Sequence, residues 1–232
     1  MEKPTVTAII LSAGASHRMT GNVTKQLMKI AGTSVVRRTA LAFASAKNIT
    51  NIVVVAKAEE ISDIKSEVSD ITKLTAVIPG GESRAESARI GFYSVKDRSD
   101  FVAIHDGARC LVTPDIIDKV VLSGIELGAA SAGAPVTDTV KRVDGELSIL
   151  GTVRREELYF TTTPQVFSTE IYEKACNRYT GDLGVITDDN MLVEAIGVRI
   201  KLIDCGKENI KITTAEDVGY AEFLLKKRKS DA

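Results

Sequence analysis

A chain of 232 residues has room for one sizeable α/β domain. Hydrophobic residues make up 44% and charged residues 26%, both near the globular average, which argues against a disordered chain and against a membrane protein. The 30 Lys and Arg nearly balance the 31 Asp and Glu, so no basic excess points to nucleic acid, and any anion site has to be built by local clustering.

The start, Met1-Glu2-Lys3-Pro4, does not read as a signal peptide. No stretch approaches the ~18–20 apolar residues of a membrane helix. Cys110, Cys176 and Cys205 are widely spaced and odd in number, which argues for a reducing, cytoplasmic setting in which each is a small buried hydrophobe. His17 and His105 lack ligand-spaced partners, so no histidine-based metal centre is expected.

In chain order, Thr5–Leu11 is predicted as a buried strand, Ser34–Lys47 as a helix, Asn51–Ala56 as a strand and Glu59–Ile71 as a helix. Leu74–Ile78 follows as a strand, Ser83–Val95 as a helix and Phe101–His105 as a strand. Pro114–Leu127 is a helix with Thr113 as its cap, and Ala129–Pro135 is a small-residue strand. Apolar strands alternating with helices imply an α/β fold with a mainly parallel sheet covered by helices on both faces, whose ligands bind beyond the carboxyl ends of the strands. Residues 136–160 break the rhythm as a polar hairpin around Asp144-Gly145. Such an arm, unable to bury itself, is expected to protrude from the single domain 1–232 and pack on a second subunit. Helices at Ser168–Arg178 and Asp188–Ile196, strands at Val198–Ile203 and Asn209–Ile212, and a helix at Ala215–Lys227 complete the chain.

Four segments carry chemistry. The first, Ser12-Ala13-Gly14 to Arg18, then Lys25-Gln26, leaves the first strand as a small-residue anion cradle with two cations. It lacks the Gly-Lys-Ser/Thr ending of a P-loop and the three-glycine spacing of a dinucleotide fingerprint. In the second, Gly80-Gly81-Glu82-Ser83-Arg84-Ala85-Glu86-Ser87, the glycines can offer bare backbone to a base edge, although Ser83 and Glu86 also have capping-box spacing. The third, His105-Asp106-Gly107-Ala108-Arg109, puts a carboxylate at a strand's carboxyl end, suited to a divalent metal or to turn formation. In the fourth, Asn209 and Lys211 share a strand face, where Asn209 offers a metal an oxygen and Lys211 a charge to phosphate. Arg18, Lys25, Arg84 and Lys211 around Asp106 are what chemistry on a triphosphate requires.

This ordered set resembles the 2-C-methyl-D-erythritol 4-phosphate cytidylyltransferase family. The likeness continues through Ala134-Pro135-Val136-Thr137-Asp138-Thr139-Val140-Lys141, Val153-Arg154-Arg155-Glu156-Glu157-Leu158, Thr163-Pro164-Gln165-Val166-Phe167, Thr187-Asp188-Asp189 and Asn209-Ile210-Lys211. It implies a three-layer, Rossmann-like nucleotidyltransferase fold, a homodimer joined through the arm, CTP as substrate with Mg²⁺ as cofactor, and transfer of a cytidylyl group to a small polyol phosphate in isoprenoid precursor biosynthesis. Carried over by position, Ser12, Ala13, Gly14, Gly80 and Arg84 line the nucleotide, and Gly81, Glu82 and Ser87 read cytosine. Arg18 and Lys25 hold the triphosphate, and Asp106 serves metal and substrate with Asn209 as a further metal oxygen. Lys211 contacts phosphate, Thr163 lies on the substrate side, and Thr139 and Arg155 are donated to the neighbouring subunit. Ser16, Thr24, Gly107 and Cys110 depart from the family's usual glycine, proline, alanine and proline. A family that makes CDP-ribitol from ribitol 5-phosphate shares most nucleotide motifs, and the Ala134–Lys141 and Thr187–Asp189 stretches favour the erythritol enzyme over it. A non-catalytic nucleotide-binding protein on the same fold is the alternative from another class.

Overall fold

The computed structural model describes residues 3–14 and 24–230. Its centre is a seven-stranded sheet in the order β11-β7-β10-β6-β1-β4-β5. The strands are β1 (Val6–Leu11), β4 (Asn51–Ala56), β5 (Leu74–Pro79), β6 (Phe101–Asp106), β7 (Ala129–Pro135), β10 (Tyr159–Ser168) and β11 (Lys201–Asp204). Only β10 runs antiparallel to its neighbours. The helices are α1 (Val35–Ser45), α2 (Ile61–Val68), α3 (Arg84–Tyr93), α4 (Pro114–Leu127), α5 (Thr169–Arg178), α6 (Asp189–Glu194) and α7 (Ala215–Ser230).

All six residues of β1 are buried, as a strand covered on both faces requires. Ala8 and Ile10 belong to a cluster with Phe43 of α1, Ile64 of α2 and Val120 of α4. Ile9 and Leu11 belong to the opposite cluster with Phe92 of α3, Tyr172 of α5 and Leu192 of α6. Each large side chain so buried is worth about 1.5–3 kcal/mol, and the two-residue alternation of β1 is what splits the core into two layers. Helix starts are fixed by side chains: Ser34, Ser83, Thr113, Ser168 and Asp188 each accept a hydrogen bond from the first turn of α1, α3, α4, α5 and α6. Gly128 ends α4 in the left-handed region at φ +84°. A third cluster seats α7 against Ile30, Leu111 and Ile212. Cys110 and Cys176 are buried thiols, and burial pushes them up to about 11 and 12. Among the described residues no helix is long and apolar enough to cross a membrane.

Register aligns the strand ends. Leu11 lies opposite Asp106 and Val55, and Ala56 opposite Pro79. The ladder runs one residue further, where Ser12, Gly80 and Gly107 donate their amides to Val55, Ala56 and Leu11 at 2.7, 2.8 and 2.8 Å. The three chemistry-bearing loops therefore leave the sheet at one edge.

Two expectations are corrected. Tyr159–Ser168, read as the end of the arm and a link to α5, is a ten-residue strand. Its ladder with β7 shifts register between Thr161 and Gln165, around Pro164, which has no amide to donate. Asn209–Ile212 is not a strand. It has no ladder partner, and Ile212 donates to Ala108 O at 2.9 Å. The arm does form a separate two-stranded sheet of β8 (Val140–Val143) and β9 (Ile149–Val153), with Leu147, Ile149 and Leu150 exposed. The remaining two-stranded piece pairs β2 (Lys29–Ile30) with β3 (Thr33–Ser34) ahead of α1.

The α4–β10 contact is tight. A Cβ at Gly124 would lie 2.5 Å from Val166 Cγ1 and 2.9 Å from Val166 Cβ. A Gly124→Ala variant is expected to lose about 1–3 kcal/mol through overpacking, seen as a lower urea midpoint at unchanged slope.

Candidate active site

Asp106 ends β6, and its carboxylate is the hub of the site. Arg84 Nε lies 2.9 Å from Oδ1, and Lys211 Nζ 3.0 Å and Arg109 Nε 3.6 Å from Oδ2. Burial alone would raise the Asp106 pKa. Arg84 foremost, then Lys211 and Arg109, outweigh it and hold the carboxyl well below the usual range. Arg84, in the first turn of α3, is shared: its Nη1 reaches Asp189 Oδ2 at 2.8 Å. Burial works against its charge, but Asp189 and then Asp106 more than restore it.

The backbone of Asp106 is fixed from behind. Its amide donates to Thr163 Oγ1 at 3.0 Å, and Thr163 Oγ1 lies 3.0 Å from Nδ1 of the fully buried His105. His105 Nε2 lies 3.2 Å from the Arg109 carbonyl, which can only accept. We therefore assign the proton to Nε2, leaving Nδ1 to accept from the Thr163 hydroxyl. The antiparallel run of β10 is what brings Thr163 to the carboxyl end of β6. Asn209 Nδ2 donates to the Thr163 carbonyl at 2.8 Å, and Arg109 Nη1 donates to the Asn209 carbonyl at 2.9 Å. Although the 209–212 segment is not a strand, Asn209 and Lys211 both reach this cluster.

The loops that follow β1 and β5 meet next to it. A Cβ at Gly80 would come within 2.7 Å of both Ala13 Cβ and Ser87 Oγ, so glycine is what lets the β1 and β5 loops touch. Gly81 donates its amide to Ser87 Oγ at 3.1 Å, and Glu82 to Glu86 Oε2 at 2.8 Å. Ser83 caps α3 as its spacing predicts, accepting from the Glu86 amide at 3.1 Å, and the same turn delivers Arg84 to Asp106. Among the described residues nothing would lie within 4 Å of a Cβ at Gly14. Lys25 sits in a turn in which Leu27 and Met28 donate to the Thr24 carbonyl. Arg18, with Ser16 and His17, lies outside the described residues.

The donor set suits a hard cation. Asn209 Oδ1 is buried and has no hydrogen-bond partner among the described residues, and the Asn209 side chain shares Thr163 with Asp106. A carboxylate and an amide oxygen fit Mg²⁺, which takes its remaining ligands from phosphates and water. Among the described residues no cluster of three or more His, Cys, Asp or Glu could hold an ion alone.

The arm residues stand apart from this cluster. Thr139 and Arg155 line one hollow with Thr152, Val153, Arg154 and Glu156, and Arg155 Nη1 donates to the Thr137 carbonyl at 2.7 Å. Arg109 and Asp189 complete the cluster around Asp106 and were not among the residues singled out from sequence. Arg109 follows Asp106 by three positions, which is the only local signal it gives. Asp189 lay within the Thr187–Asp189 stretch, where its neighbour Asp188 reads as a helix cap.

A family model described as 2-C-methyl-D-erythritol 4-phosphate cytidylyltransferase matches residues 6–227. The chain belongs to this family. Proteins with that name from Caldanaerobacter subterraneus and Desulforamulus reducens are each 38% identical, over 96% of this chain and 99% and 97% of theirs. The crystal structure of 4-diphosphocytidyl-2C-methyl-D-erythritol synthase from Anaerococcus prevotii superimposes with a TM-score of 0.86, covering 97% of each chain at 24% identity, and so speaks for the fold. This member of the cytidylyltransferase family is a nucleotidyltransferase. Its departure at Gly107 has a local reason: a Cβ there would lie 2.5 Å from Ser12 Oγ and 2.9 Å from the Leu11 carbonyl.

His105 makes the folded cytidylyltransferase acid-sensitive. Burial, outweighing the pull of Asp106, lowers its pKa to about 3, against about 6.5 in the unfolded chain. Between those values the unfolded chain binds a proton that the folded chain does not. Stability is therefore complete above about pH 6.5 and falls as the pH drops toward 3, by about 1.4 kcal/mol per pH unit from this group. Urea midpoints across this range should fall less steeply for His105→Gln; identical slopes would assign the acid response to other groups.

Proposed function

We propose that this chain transfers the cytidylyl group of CTP to 2-C-methyl-D-erythritol 4-phosphate, giving 4-diphosphocytidyl-2-C-methyl-D-erythritol and pyrophosphate. The observation that carries this reading is the buried Asp106 carboxylate gripped by Arg84 and Lys211 with Arg109 beside it, at the sheet edge where the glycine loops emerge. Family membership supplies the choice of CTP and of the acceptor.

A phosphate oxygen of the acceptor attacks the α-phosphorus in line. The new P–O bond forms as the bond to the β-phosphate oxygen breaks, and pyrophosphate leaves with the electron pair. The nucleophile is a phosphate monoester whose second pKa is ~6, so it is largely dianionic at neutral pH and needs no general base. That agrees with His105, both of whose ring nitrogens are already hydrogen-bonded. The obstacle is the approach of two polyanions, and the remedy is fixed positive charge and positioning. Lys211 and Arg109 meet the acceptor phosphate, Arg18 and Lys25 the triphosphate, and Ser12, Ala13 and Gly14 line the nucleotide. Gly81, Glu82 and Ser87 read the base. Asp106 and Asn209 would hold Mg²⁺, which supplies neutralisation of phosphate charge when bound.

The arm pairs two copies into a homodimer and offers Thr139 and Arg155 to the neighbour's acceptor site. Exposure of Leu147, Ile149 and Leu150 supports a protein partner for it. A cytoplasmic enzyme is consistent with three free cysteines.

Pyrophosphate release tests the reading, with each ribonucleoside triphosphate and either methylerythritol phosphate or ribitol 5-phosphate. Release is expected with CTP and methylerythritol phosphate, and preference for ribitol 5-phosphate would refute the acceptor. Lys25→Ala or Arg18→Ala should lower kcat by roughly 10²–10³, the cost of losing one preorganised stabiliser. Arg155→Ala should raise KM for the acceptor and leave KM for CTP nearly unchanged; an equal rise in both would place the arm elsewhere.

A further inference from the structure

We propose that Asp189, held by Tyr172, is a positioning residue for the transfer reaction: it shares the Arg84 guanidinium with Asp106, and so sets the direction and the remaining negative charge of the Asp106 carboxylate. This rests on the reading that Asp106 faces the reacting phosphates.

Asp189 is fully buried, and both its oxygens are committed. Oδ2 accepts from Arg84 Nη1 at 2.8 Å and Oδ1 from the Tyr172 hydroxyl at 2.5 Å, while its amide donates to Gln165 Oε1 at 2.9 Å. Tyr172 is itself immobilised, stacked on Phe167 at 5.4 Å and edge-on to Phe92 at 4.9 Å. A carboxylate this deep is costly unless well paired, and an apolar residue would fill the space more cheaply. Asp189 is also the stronger of the two carboxylates that keep the buried Arg84 charged, since Asp106 is shared with Lys211 and Arg109.

What Asp189 adds is geometry and charge division. The guanidinium is rigid and planar. Fixing Nη1 on Asp189 fixes the plane in which Nε meets Asp106 Oδ1. Without Asp189, Arg84, Arg109 and Lys211 would face a single carboxylate and neutralise it further. With it, Arg84 divides its charge, and Asp106 keeps negative charge to offer at the reaction centre. One strand sets both ends of the relay: Thr163 of β10 accepts from the Asp106 amide, and Gln165, two residues on, holds Asp189 and also donates to Asp188 Oδ2 at 2.9 Å.

Steady-state kinetics with CTP and methylerythritol phosphate decide it, using Asp189→Asn, the pair Arg84→Met with Asp189→Asn, and Tyr172→Phe. Asp189→Asn is expected to lower kcat by about tenfold or more with KM for CTP within about twofold, the signature of a contact felt in the transition state. The paired variant removes cation and anion together and should stay slow while melting near the wild-type temperature. Tyr172→Phe should show the same split more weakly, a loss of a few-fold in kcat. Wild-type kcat in the paired variant would reduce Asp189 to a structural counter-ion and overturn the proposal. A raised KM for CTP at unchanged kcat would assign Arg84 to the nucleotide and also overturn it. If the Asp189 variants do not fold, an unchanged kcat in Tyr172→Phe is sufficient to overturn it. Absence of turnover in the wild-type protein would instead sink the assigned reaction.

Discussion

The site depends on a charge imbalance around one buried carboxylate. Asp106 would be expensive alone in a low-dielectric interior, and so would Arg84 and Arg109. Together they are stable only as a set, and with Lys211 and Asp189 the set still has cations in excess. That excess gives the cluster a local positive balance, which the proposed chemistry on phosphates calls for, in a chain whose overall charge is close to zero. The opposing terms also explain why Asp106 remains ionised despite burial: nearby cations win over desolvation.

The sheet is the device that holds this imbalance in place. Parallel β1, β4, β5 and β6 end together, so their loops share one rim. A parallel partner for β6 would have presented the far end of its own strand to Asp106. By running the other way, β10 brings Thr163 up under the Asp106 amide and Gln165 under Asp189. Small residues matter where loops must touch, as at Gly80 against Ala13.

Much of this was legible in the sequence. Apolar β-branched runs such as Asn51–Ala56 gave their limits directly, and the start of Pro114–Leu127 was marked by its own cap, Thr113. The strand Tyr159–Ser168 was hidden because its first residues are exposed and show no buried alternation, and Pro164 argues against a ladder, an objection met by a register shift. Asn209–Ile212 alternates like a strand but has no neighbour to pair with, and periodicity cannot report a missing partner. In the cluster, Asp106 was readable from its place at the end of a strand, whereas Asn209 and Lys211 were paired on a strand face that does not form, and yet both reach the cluster. Arg109 and Asp189 were not readable, because a charge meant for burial looks the same in sequence as one meant for solvent. Arg84 was expected both at the nucleotide and around Asp106, and it does pair with Asp106, with Asp189 as a second carboxylate that the sequence did not announce.

The long separations within the cluster bear on the order in which the protein is made. Arg84 and Asp106 leave the ribosome in the first half of the chain, well before Thr163, Asp189 and Lys211. A half-synthesised chain already holds Asp106 with Arg84 and Arg109, yet the aspartate's backbone anchor, Thr163, and its third cation, Lys211, do not yet exist. Competence for chemistry therefore arrives late and abruptly, when the closing segments dock, and a shortened chain could retain its sheet while having no working centre.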